Sequence, residues 1–174
     1  MRLFIAIELD PPIRRAAYEL ALELRESVAG RAVREDNMHL TLAFLGEQPG
    51  GRLGALRKCM ERAAAGSFGL ELGNVGRFRR SGGDIWWLGV RLSPELRGLQ
   101  ARLCSELGSA GFETEERPVR PHITLLRQAG GDAPRTPDFP PLEQRVERMT
   151  LFESMRERGA LVYRPLARVE LGRP

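Results

Sequence analysis

The 174-residue chain has two histidines, and both open the same pattern: His39-Leu40-Thr41-Leu42 and His122-Ile123-Thr124-Leu125. In an extended strand alternate side chains share a face, so each copy presents an imidazole beside a hydroxyl and turns its aliphatic pair the other way. Imidazole exchanges protons near neutral pH, and a hydroxyl can donate to a developing oxyanion. Two such pairs face to face hold an acid, a base and two oxyanion donors, the equipment of an in-line displacement at phosphorus. One His-x-Thr on a strand carries little weight. Two copies that use every histidine in the chain carry far more.

The elements needed to position the motifs are also written twice. Met1 to Ile7 is an apolar run of strand formers closed by Asp10-Pro11-Pro12, a helix N-cap followed by prolines suited to a first turn. Ile13, Ala16, Ala17, Leu20, Leu24 and Val28 then recur at helical spacing up to Gly30, and Met38 to Leu45 reads as the first motif strand. In the second half Asp84 to Leu92 is a strand and Ser93-Pro94 opens a helix through Leu96, Leu99, Leu103 and Leu107. Gly108 to Gly111 breaks that helix, and Pro121 to Arg127 is the second motif strand. The spacing from Ile5 to His39 nearly equals that from Trp87 to His122, the mark of an internal duplication. A helix over Arg52 to Ala65, a strand near Phe68 to Leu72 and late strands over Glu143 to Ser154 and Ala160 to Leu171 complete the pattern. Arg77 to Gly83 and Gly130 to Pro141 read as surface loops.

Five residues beyond the histidines stand Phe44 and Arg127, an aromatic and a guanidinium at equivalent places. Together they could sandwich one nucleobase, and Arg127 could also reach a phosphate. Strict alternation puts both on the face opposite the histidines, so this reading requires a bulge or a strand end.

The size suits one core or two small lobes sharing an interface. The formal charge is +4, and Lys58 is the one lysine among 27 cations. Arginine suits bidentate phosphate contacts, so an anionic ligand is permitted, with Arg34, Arg77, Arg79 and Arg80 in loops that could flank a cleft. No apolar run approaches the ~20 residues of a membrane span, and the opening run is interrupted at Glu8, too early for a signal peptide. A cytoplasmic protein, monomeric by default, is expected. Cys59 and Cys104 fall in separate helical segments, as two reduced thiols and not a bridge.

The opening Arg2-Leu3-Phe4-Ile5-Ala6-Ile7, the run Asn37 to Glu47 and the stretch from Arg117-Pro118 to Arg127 resemble the two-histidine (2H) phosphoesterase superfamily. The likeness is strongest to its RNA 2′,3′-cyclic phosphodiesterase branch, historically the 2′-5′ RNA ligase family. Gly76-Arg77-Phe78, Trp86 to Val90 and Leu151 to Ser154 are similar to further landmarks of that family. The resemblance implies an α+β fold over residues 1–174, a single bilobal unit of two pseudo-symmetric lobes. Each lobe would be a mostly antiparallel sheet backed by helices, and the motifs would line the central cleft. It implies no cofactor and no metal, and a substrate that is RNA or an oligonucleotide with a 2′,3′-cyclic phosphate end. His39 would be the proton donor toward the 3′ oxygen and His122 the proton acceptor that activates water, leaving a 2′-phosphate. Thr41 and Thr124 would hold the phosphate.

Three other readings stand beside this one. A 2′-5′ RNA ligase would run the same chemistry backward, but the chain has no Gly-x-x-x-x-Gly-Lys-Ser/Thr loop, and Lys58 lacks the context of an adenylated lysine. A non-catalytic RNA-binding module would present aromatics on a basic sheet, and aromatics are 6% of the chain. For a metallohydrolase, two histidines without nearby acidic or thiolate partners make a poor ligand set.

Overall fold

The computed structural model describes residues 1–114, 120–131 and 138–172. The landmark Arg117-Pro118 and residues 132–137 of the Gly130 to Pro141 loop lie outside them. In chain order the elements are β1 (Arg2–Glu8), α1 (Pro11–Ser27), β2 (Ala29–Ala32), β3 (His39–Glu47), α2 (Leu53–Ala63), β4 (Phe68–Phe78) and β5 (Asp84–Val90). Then come α3 (Pro94–Ser109), β6 (His122–Gly130), β7 (Leu142–Val146), β8 (Arg148–Glu157) and β9 (Ala160–Glu170).

The two long helices form where the periodicity and prolines place them. In α3 the Ser93 hydroxyl accepts from the Leu96 N–H at 3.2 Å, and Leu96, Leu99, Leu103 and Leu107 are buried along one stripe. Helix α1 carries its prolines in the first turn and buries Ile13, Ala17, Leu20, Ala21 and Leu24, but the Asp10 side chain caps nothing. The Asp10 N–H donates instead to the Gln144 side chain at 3.0 Å. The helix also stops before Gly30, because Ala29–Ala32 becomes a strand paired with β6.

All strand pairings in the sheet are antiparallel, in the order β7-β4-β5-β6-β3-β1-β8-β9, with β2 also on β6. The α+β class is as expected. The two halves do not form separate sheets, however, since β3 and β6 join them at the ladder pair Leu40↔Ile123. The order mirrors about that joint: β5 and β1 flank the motif strands, β4 and β8 lie next, β7 and β9 are at the edges. The late strand read as Glu143 to Ser154 is two strands broken at Glu147. One lies at the first edge and the other on the opposite arm, so the sheet must curl. Gln144 of β7 closes the curl by donating to the Glu8 carbonyl at 3.0 Å.

The curled sheet has two unlike faces. Leu3, Ile5 and Ile7 of β1 join Leu40, Ile123 and the apolar stripes of the helices in the main core. Phe4 and Ala6, on the other side of the same strand, form a small separate cluster with Phe152, against which Tyr163 packs. That second face is where the motif side chains emerge. No helix among the described residues is long and apolar enough to cross a membrane.

Candidate active site

The pairing Leu40↔Ile123 fixes the geometry of the site. In an antiparallel ladder this register sets His39 opposite Thr124 and Thr41 opposite His122, all four on one face. The two histidines are then diagonal neighbours, about 7–8 Å apart at the backbone. That is close enough for one tetrahedral phosphate to lie between two imidazoles. His39, Thr41, His122 and Thr124 all line a cavity of about 620 Å³.

Each motif strand carries a bulge three residues beyond its histidine. Along β1 and β3 the register passes from Ala6↔Thr41 to Ile5↔Ala43, leaving Leu42 unpaired; along β5 and β6 it passes from Trp87↔Thr124 to Trp86↔Leu126, leaving Leu125 unpaired. Leu42 with Ala43, and Leu125 with Leu126, are therefore buried consecutively, and the alternation restarts in the opposite phase. Phe44 and Arg127 thereby reach the histidine face and line the same cavity, with Phe44 49% exposed. The carbonyls freed by the bulges are both satisfied. That of Leu42 accepts from the Gln100 side chain at 3.1 Å, and that of Leu125 from the Val33 N–H at 2.8 Å.

Backbone carbonyls set the tautomers. His39 Nδ1 lies 2.7 Å from the Asn37 carbonyl, and His122 Nδ1 lies 2.7 Å from the Arg120 carbonyl. A carbonyl only accepts, so each Nδ1 carries the proton and each Nε2 is left for the cleft. In the resting site His39 Nε2 accepts from the Thr41 hydroxyl at 3.0 Å. Asn37 is itself held, donating from its buried side chain to the Leu161 carbonyl of β9 at 2.9 Å. Strands β3 and β9 are three places apart in the sheet, so this bond shows the β8–β9 hairpin curling back over the histidine face.

Aromatic rings enclose both imidazoles. Phe4 and Tyr163 lie 4.8 and 5.2 Å from the His39 ring, Tyr163 edge-on; Phe78 lies 5.0 Å from the His122 ring, also edge-on, with Trp87 at 6.4 Å. Burial pushes the His39 imidazole down to about 4, and Arg127 and His122 add to this against the opposing Asn37 bond. Burial lowers His122 too, with Arg127 again adding and the Arg120 carbonyl opposing. Both shifts favour the neutral imidazole. Arg127 acts on both, which puts its cation where an anion would be welcome.

Of the loop arginines, Arg80 lines the cavity; Arg77 lies over the Trp86 ring at 5.6 Å and reaches Asp84, while Arg34 and Arg79 are exposed away from the cavity lining. Cys59 and Cys104 are free thiols, pushed up by burial. No three His, Cys, Asp or Glu side chains converge among the described residues. The sequence pattern by itself assigns no role to Asn37, Gln100, Arg120 or Tyr163. Asn37 and Arg120 share a signal, two residues before each histidine, whereas Gln100 and Tyr163 reach the site only through packing and curl.

A family model described as the 2′-5′ RNA ligase superfamily matches residues 9–158. The chain belongs to the 2′-5′ RNA ligase superfamily. Within that superfamily it is 38% identical to an RNA 2′,3′-cyclic phosphodiesterase of Escherichia coli K12, covering 96% of this chain and 94% of that one. A protein of the same name from Thermotoga maritima is 33% identical over 95% and 93% of the two chains. The crystal structure of E. coli LigT in its apo form superposes with a TM-score of 0.83, at 36% identity, covering 99% of this chain and 98% of that one. LigT complexed with 3′-AMP gives 0.82, at 37% identity, over 98% and 97%. The superfamily fold and the curled antiparallel sheet seen here are thus the same architecture.

Proposed function

We propose that the protein hydrolyses RNA 2′,3′-cyclic phosphate ends to 2′-phosphate ends with its two histidines. The observation that carries this reading is the Leu40↔Ile123 register, which opposes each histidine to the other motif's threonine. It is supported by relatives named RNA 2′,3′-cyclic phosphodiesterase that match nearly the whole chain, and by a neighbour solved with 3′-AMP and with phosphate.

The cyclic diester sits between the two Nε2 atoms. Neutral His122 takes a proton from the attacking water, and His39, protonated as the anionic phosphate enters, gives one to the departing 3′ oxygen. Thr41 and Thr124 donate to the non-bridging oxygens; Thr41 exchanges its bond to His39 Nε2 for one to phosphate. Phe44 and Arg127 hold the base between them, and Arg127 offsets the charge of the phosphate. The donor set supplies acid, base and oxyanion contacts without a metal ion or an organic cofactor. The protein acts in the cytoplasm as a monomer.

The test is turnover of an oligonucleotide ending in a 2′,3′-cyclic phosphate, with His39→Ala and His122→Ala as controls checked for folding by circular dichroism. Phosphorus NMR identifies the product end. A 2′-phosphate is expected; a 3′-phosphate as main product overturns the assignment of His39 as acid toward the 3′ oxygen, and full activity in either variant overturns the mechanism.

A further inference from the structure

Six arginines outside the cavity, Arg15, Arg57, Arg62, Arg91, Arg164 and Arg168, each meet a glutamate. Arg2 and Arg127 have no ion-pair partner among the described residues. Arg127 lies in the cavity; Arg2 leads away from it. Arg2 has the same strand phase as Phe4 and Ala6, so it shares the histidine face. It is directly opposite Ser154 on β8, and Ser154 is directly opposite Tyr163 on β9; on its other side it faces Glu47 of β3, whose carboxylate is held by the Met1 amine at 3.2 Å. A guanidinium and two hydroxyls therefore stand in one row across three strands, each about 5 Å from the next.

This row is continuous with the active site. The Tyr163 ring meets the His39 ring edge-on at 5.2 Å. Burial pushes the Tyr163 phenol up, while Arg127 and Arg2 both pull it down, so the hydroxyl lies within electrostatic reach of both cations. Arg2, at the far end of the row, is nevertheless too far from the reacting phosphate to serve it. Ala6 is the residue opposite Thr41, and Arg2 is four residues back along β1, about 14 Å at the strand rise.

We infer that Arg2, Ser154 and Tyr163 form a second anion subsite that binds the phosphodiester on the 5′ side of the cyclic end, making the protein select oligoribonucleotides over cyclic mononucleotides. This rests on the proposed function above. On a 2′,3′-cyclic end the reacting phosphate occupies both ribose hydroxyls, so the next anion in the substrate is that 5′ phosphodiester. A row of donors beginning beside His39 and ending on an unpaired guanidinium follows such a backbone, while the flanking aromatic faces suit its bases.

The experiment compares a dinucleotide ending in a 2′,3′-cyclic phosphate with the cyclic mononucleotide of the same terminal base, on wild type, Arg2→Gln and Tyr163→Phe. Tyr163→Phe keeps the ring against His39 and removes only the hydroxyl. Wild type should have a KM about tenfold lower for the dinucleotide. Arg2→Gln should raise the dinucleotide-to-mononucleotide KM ratio about tenfold, Tyr163→Phe severalfold; loss of folded protein does not move this ratio. The dinucleotide KM of Arg2→Gln should also depend less on salt, its log–log slope shallower by about 0.7. An unchanged ratio in both variants, or a wild type without preference, overturns the subsite while leaving the two-histidine activity standing. Wild type that turns over neither substrate overturns the proposed function and the subsite with it.

Discussion

With two histidines in the chain, their titration can be watched without interference. His39 is held down to about 4 in the native state, against an unfolded value near 6.5. Above pH 6.5 the ring is neutral folded and unfolded, and its titration contributes nothing to the pH dependence of stability. Between 6.5 and 4 the unfolded chain binds a proton that the native site refuses, so native stability falls with falling pH by about 1.4 kcal/mol per unit. The gap corresponds to about 3 kcal/mol, and the loss levels off below 4, where the native ring is protonated as well. Urea unfolding of wild type and His39→Gln at pH 7 and at pH 4 isolates this contribution. Wild type should lose about 3 kcal/mol more than the variant across that interval.

Imidazole carbon–proton NMR signals supply the residue-level check. One of the two should titrate near 4, be absent from His39→Gln, and move upward when inorganic phosphate is added, because the anion offsets the field of Arg127. A His39 signal titrating near 6.5 in phosphate-free buffer would refute the reasoning. It would mean that Phe4 and Tyr163 do not desolvate the ring.

Removing either imidazole, by His39→Ala or His122→Ala, should lower kcat on a cyclic-ended oligonucleotide by about a hundredfold to ten-thousandfold, as expected for the loss of a general acid or base. Thr41→Ala and Thr124→Ala should each cost about 1.5–3 kcal/mol of transition-state stabilisation, read from kcat/KM, the worth of a hydrogen bond to a charged group. Extended treatment with a chelator should leave the rate unchanged; a sample that dies and recovers with one particular ion would replace the mechanism with a metal-assisted one. Gln100→Met should destabilise the fold by about 1–3 kcal/mol in urea, because the Leu42 carbonyl loses its donor. It should also raise KM by releasing the bulge that delivers Phe44.

Legibility in the sequence followed the range of the interactions. The leucines of α3 and the prolines of α1 act within a turn or two, and both helices form where they indicate. His39 with Thr41, and His122 with Thr124, share a face by strand period alone, without any tertiary contact. The same period misplaces Phe44 and Arg127, since a bulge is a relation between two strands and neither sequence copy contains its partner. The consecutive aliphatic pairs Leu42-Ala43 and Leu125-Leu126 are the local trace of that slip, legible once β1 and β5 are known to lie alongside. The helical spacing runs up to Gly30 and gives no sign of strand β2, because the residues of β2 gain their pairing only from β6, distant in sequence. Tyr163 carries no local signal for the same reason: its place beside His39 depends on the curl of the β8–β9 hairpin.

The repeated backbone also has a consequence for catalysis. Both Nδ1 atoms are bonded to the carbonyl two residues back, both Nε2 atoms face the cleft, and both motifs are bulged at the same offset. A scaffold so nearly symmetric cannot by itself decide which histidine is the acid. The side chains break the symmetry: Phe44 stands where the other half has Arg127, Glu8 lies opposite His39 where Gly89 lies opposite His122, and Tyr163 meets His39 alone. In the proposed reaction Phe44 and Arg127 border the base, so they would fix how the ring enters. On that reading the direction of proton transfer follows from how the nucleotide is held, and changes to Phe44 or Arg127 should act on the identity of the product end as well as on affinity.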